Sequence, residues 1–96
     1  MAQKQVPFFY FLVAFMKIEN NYFVKVLYEA SFLYAIGLPL IGLKRDGSSY
    51  YFIFTPKNEC ERLRDQFWAM SPELQINPKV YANAVKSLKE RIFSNP

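Results

Sequence analysis

The sequence predicts a small α+β single domain of 96 residues. Three observations predict it. An apolar stretch ends at Gly37 with Pro39 just beyond, the left-handed stop and breaker that close a helix. Asp46-Gly47 separates two apolar runs, which is the mark of a β-hairpin. Two later stretches, each opened by a proline, carry apolar residues at helical spacing.

The elements follow in order. Residues 6–16, "VPFFYFLVAFM", are uncharged and almost wholly apolar. A membrane-spanning helix needs ~20 such residues, so the run is too short to cross. As a signal peptide it lacks a cleavage site, because Lys17-Ile18-Glu19 stands where small residues belong. It reads as an N-terminal apolar strand, a candidate third strand for the hairpin, although a helix fits the same residues. Met16 is an alternative start to Met1, which makes residues 1–16 an extension and residues 20–94 the compact core.

Asn20 or Asn21 then offers a cap, and Tyr22 to Ile36 reads as one helix. Lys25 and Glu29, four apart, mark its only solvated stripe. Phe23, Val26, Leu27, Ala30, Phe32, Leu33, Tyr34 and Ile36 cover the rest. A helix apolar nearly all round is buried nearly all round, so this is the expected central helix.

A two-residue turn at Asp46-Gly47 pairs Leu43 with Tyr50 and Ile41 with Phe52 on one apolar face. The other face pairs Lys44 with Ser49, Gly42 with Tyr51 and Leu40 with Ile53. Thr55-Pro56 opens the next helix, with Pro56 at its first position. Cys60, Leu63, Phe67 and Met70 form its apolar stripe, and Trp68 stands about a quarter-turn off it. Asn77 caps a last helix starting at Pro78. Tyr81, Ala84, Val85, Leu88 and Ile92 line its expected buried face, and Lys79, Asn83, Lys86 and Glu90 the opposite one.

From residue 22 the order of segments becomes distinctive: "YEASFLYAIG", "LPLIGLKRDG", "SYYFIF", a helix ending "LRDQFW", then "INPKVYANAVKSLKERIF". This resembles a family of small phage and bacterial proteins known only as a domain of unknown function, over residues 22–93. The resemblance implies a compact α+β domain serving a phage or its bacterial host, and implies no activity.

Catalytic chemistry finds little support. There is no histidine to act as a base near neutral pH. Cys60 is the only cysteine, which excludes an intramolecular disulfide and Cys/His zinc sites and suits a reducing, cytoplasmic setting. On its apolar stripe Cys60 reads as core packing, with Arg64 one turn later the one feature favouring a reactive thiolate. Glu59, Glu61 and Asp65 alternate with Lys57, Arg62 and Arg64, an ordinary solvated face. Gly37, Gly42 and Gly47 recur every five residues but match no phosphate-binding loop. The sequence therefore points to no enzyme, cofactor, metal or small-molecule substrate.

It points instead to partners. Hydrophobic residues make up 52% and aromatics 19% of the chain, while a domain this size buries only about 60–65% of its unfolded surface. The surplus favours protein contacts, with self or a larger partner, through Phe8, Phe9, Tyr10, Tyr51 and Trp68. The net charge of +4 and pI near 9.3 support an alternative, a nucleic-acid accessory protein. Its contacts would come from Lys44 and Arg45 at the hairpin tip and Lys79, Lys86, Lys89 and Arg91 on the last helix.

Overall fold

The computed structural model describes residues 20–94. The expected N-terminal strand, with Phe8, Phe9 and Tyr10, lies outside the described residues. The element order is β1 (Tyr22–Val24), α1 (Leu27–Ile36), β2 (Leu40–Asp46), β3 (Ser49–Phe54), α2 (Lys57–Trp68) and α3 (Pro78–Phe93). This is the small α+β fold that the sequence predicts, with one antiparallel sheet in the order β1-β3-β2.

Among the described residues, the strand that joins the hairpin comes from the start of the expected central helix. Tyr22–Val24, expected as the first turn of the central helix, pairs with β3 as Tyr22 to Phe54, Phe23 to Ile53 and Val24 to Phe52. An aromatic pair followed by a β-branched residue suits a pleated surface, and β3 has an open edge to offer. The helix therefore begins at Leu27, behind Val26, with no side-chain cap. Asn20 caps a different helix: its Oδ1 accepts the Lys57 N–H at the start of α2 at 3.1 Å. Pro56 is thus the residue before α2 and not its first helical residue.

The hairpin forms with its register displaced by two residues. The loop is Gly47-Ser48, and Asp46 pairs with Ser49, Lys44 with Tyr51, Leu43 with Phe52 and Gly42 with Ile53. Gly47 sits at φ 64° while Ser48 has no positive φ, the Gly-first pattern of a type II′ turn in place of the expected type I′. An even displacement keeps every side chain on its face, so Leu43, Tyr50 and Phe52 still share the inner side. A bulge between Leu40 and Gly42 turns Ile41 outward, 53% exposed, and brings Leu40 opposite Phe54 on the inner side.

Among the described residues, helices cover only that inner face. Val24, Phe52 and Phe54 join Ala30, Phe32 and Leu33 of α1, Cys60 and Leu63 of α2 and Leu88 of α3 in one core. Residues 29–33 of α1 are all buried, but the helix is not buried nearly all round as expected: Tyr28 and Ile36 are exposed within it, and Phe23 and Val26 lie outside it and are exposed too. Gly37 closes it at φ 111°, with Leu38 N–H reaching back to Leu33 O. Asn77 Oδ1 caps α3 by accepting the N–H groups of Lys79 (2.8 Å) and Val80 (3.3 Å), with Pro78 next in the chain. The expected inner face of α3 holds, with Ala84 and Leu88 buried and Tyr81, Val85 and Ile92 half-buried.

Candidate interaction surfaces

The least expected feature lies in the first turn of α1. Glu29, read from the sequence as half of the solvated stripe, is 6% exposed. Burying a carboxylate is costly unless its oxygens receive hydrogen bonds, and both do. The Tyr22 hydroxyl donates to Oε2 at 2.6 Å and the Trp68 indole N–H to Oε1 at 3.0 Å. The guanidinium of Arg64 lies 5.8 Å from the centre of the Tyr22 ring and bonds Asp65. Burial, then the carboxylate of Glu29, pushes the Tyr22 hydroxyl well above the ordinary phenol range against the opposing pull of Arg64. The former stripe partner, Lys25, lies beyond the helix, 5.9 Å over the Tyr51 ring.

Trp68 is therefore both exposed, at 56%, and held. Its ring meets Phe67 edge-on at 5.1 Å, and Phe67 packs on Phe32 at 5.0 Å. Beyond Phe67 opens an apolar cleft of about 390 Å³, lined by Phe32, Phe67, Met70, Ser71, Leu74, Ile76 and Tyr81. Met70 corrects another expectation. It does not continue the buried stripe of Cys60 and Leu63, because α2 stops at Trp68 and Met70 adopts φ 53°. The turn is closed by Met70 N–H to Phe67 O and Ser71 N–H to Gln66 O, the pairing usually completed by glycine. Met70 ends 86% exposed at the rim of the cleft.

The second surface is the outer face of the sheet. Phe23, Tyr51 and Ile53 point there, with Gly42 under Ile53 (its absent Cβ would stand 3.6 Å from Ile53 Cδ1) and not under Tyr51 as expected. Phe23 is 47% exposed and meets Tyr51 edge-on at 6.3 Å. Lys44 stands directly across from Tyr51.

The predicted site residues are thus divided differently. Tyr51 and Trp68, placed together as a protein interface, lie on opposite sides of the sheet. Tyr51 and Lys44, placed in different sets, are cross-strand neighbours. Lys44, Arg45, Lys79, Lys86, Lys89 and Arg91 are all exposed, Arg45 lying 5.9 Å over Tyr50 and Arg91 5.9 Å over Tyr34. The C-terminal end of α3 meets the hairpin end, where Ile92 shares a cleft with Lys25, Ser48 and Tyr50. Lys79 stands about 15 Å from Lys89 along the helix at 1.5 Å per residue. Phe23, Glu29 and Met70 were missed as surface or network residues. The apolar–aromatic triplet Tyr22-Phe23-Val24 beside a Lys was the one legible signal.

Cys60 is fully buried, as its place on the stripe predicted. Burial, with the charges of Glu59, Glu29 and Glu61, pushes its thiol up to about 11, so Arg64 does not activate it. Among the described residues no group of side chains is arranged to hold a metal ion, and no helix is long and apolar enough to cross a membrane. Comparison with protein families, curated proteins and solved structures finds no match to this chain.

Proposed function

We propose that this protein is a non-catalytic interaction module that self-associates, the Trp68 and Met70 rim of each copy seated against the apolar cleft of the other. One observation carries the reading: an exposed tryptophan is held by a buried carboxylate beside an open apolar cleft. An aromatic side chain ordered in advance loses less freedom on association. Trp, Tyr and Met are the side chains enriched at interface centres. A two-fold arrangement uses the same patch on both copies and closes on itself. A cytoplasmic setting agrees with a single cysteine kept buried in the core.

The test is solution mass by light scattering across a dilution series at low and high salt. The expected result is a dimer that resists salt, because apolar burial is not screened. Met70→Glu places a charge at the rim without touching the core and is expected to give a monomer with unchanged circular dichroism. A parent chain that is monomeric at every concentration contradicts the reading.

A further inference from the structure

The outer face of the sheet is a separate surface from the cleft, and its chemistry differs. Among the described residues all three helices pack on the inner side, and on the outer side Phe23 is exposed while Tyr51 and Ile53 are half-buried. Ammonium groups alternate with the rings: Lys25 Nζ sits 5.9 Å over Tyr51, and Lys44 is its cross-strand neighbour. Among the described strand residues, the one carboxylate on this face is Asp46, at the turn. Two edge-on rings 6.3 Å apart present two separate π-surfaces, and both cations stand beside Tyr51.

We infer that this face binds single-stranded nucleic acid, with Tyr51 and Phe23 stacking on successive bases and Lys25 and Lys44 meeting the flanking phosphates. Flat apolar groups strung on an anionic backbone match rings interleaved with ammoniums. A duplex does not match, since its bases are already stacked and paired. A second copy laid face to face matches poorly too, because it brings a second set of the same lysines into the contact. The Lys25 ammonium over Tyr51 gives the binding step a definite form. An arriving base takes its place on the ring, and the ammonium moves to the phosphate. The inference does not rest on the self-association proposed above, which uses the other side of the sheet.

The experiment is a fluorescence-anisotropy titration of the full chain with a labelled oligothymidylate and with a duplex of equal length, across a salt series. The single strand is expected to bind and the duplex to bind far more weakly. With two phosphates neutralised, log K against log salt has an expected slope of about −1.4, falling to about −0.7 in Lys44→Ala. Tyr51→Ala is expected to weaken binding about tenfold or more, and Tyr51→Phe, which keeps the ring, to restore it. Equal binding of duplex overturns the inference, as does no binding by the parent chain. So does affinity that survives Tyr51→Ala but is lost in Lys79→Ala with Lys86→Ala, which would place the contact on α3.

Discussion

The Trp68 indole N–H donates to Glu29 Oε1 at 3.0 Å, joining the exposed end of α2 to the buried first turn of α1 across 39 residues. With Tyr22 on the other oxygen, each carboxylate oxygen has one donor. Glu29→Gln replaces one of those oxygens with an NH₂ that faces a donor. The expected loss is about 1–3 kcal/mol in urea unfolding, with increased motion of the indole in fluorescence anisotropy. An unchanged midpoint and anisotropy would mean that the carboxylate does not hold Trp68.

Ser31 presents the opposite case. Its hydroxyl is fully buried in α1 without a hydrogen-bond partner. Ser31→Ala removes an unsatisfied polar atom and installs the best helix former. Stability is expected to rise by about 1 kcal/mol, read from the urea midpoint, whereas a fall would show that the hydroxyl finds a partner in solution.

Alkaline pH acts on the core through two protons. The Cys60 thiol is held up to about 11 by burial and three nearby carboxylates, against 9.0 for a free thiol. Below pH 9 both folded and unfolded chains keep this proton, and stability is unaffected. Between about 9 and 11 only the unfolded chain releases it, so stability falls by about 1.4 kcal/mol per pH unit. Tyr22, raised in the same direction from 10.0, adds to the fall above pH 10. In Cys60→Ala the decline is expected to begin about one pH unit later. Unfolding midpoints measured from pH 7 to 11 test this, and a parent curve that stays flat to pH 10 would contradict it.

The fold and the site were legible to different depths. The start and inner face of α3 were readable because Asn77, Pro78 and the spacing of Ala84 and Leu88 are local signals. Gly37 was readable for the same reason. The hairpin was readable as an element, but the choice between Asp46-Gly47 and Gly47-Ser48 is a small difference in turn chemistry, and the bulge at Ile41 leaves no mark in the local sequence. Tyr22–Val24 fits a helix or a strand equally, and only Phe52, Ile53 and Phe54, about 30 residues on, select the strand. The burial of Glu29 was not readable at all: its two donors lie 7 and 39 residues away and meet only in the folded chain.

In the proposed dimer Met70 ties stability to association. A non-glycine residue at φ 53° sits in a region that side chains disfavour. Met70→Gly is expected to stabilise the diluted monomer by about 0.5–1 kcal/mol and at the same time to weaken the dimer. Thermal unfolding at low concentration and light scattering at high concentration read the two effects separately. A variant that is less stable as a monomer would show that Met70 serves the fold and not the surface.

In the proposed dimer Trp68, held by Glu29, lies in the self-association interface. Trp68 is the chain's only tryptophan, so its emission against protein concentration reports that interface directly. The expected result is a shift to shorter wavelength as concentration rises, coincident with doubling of the mass and absent in Met70→Glu. An emission maximum that stays constant while the mass remains that of one chain would contradict the account.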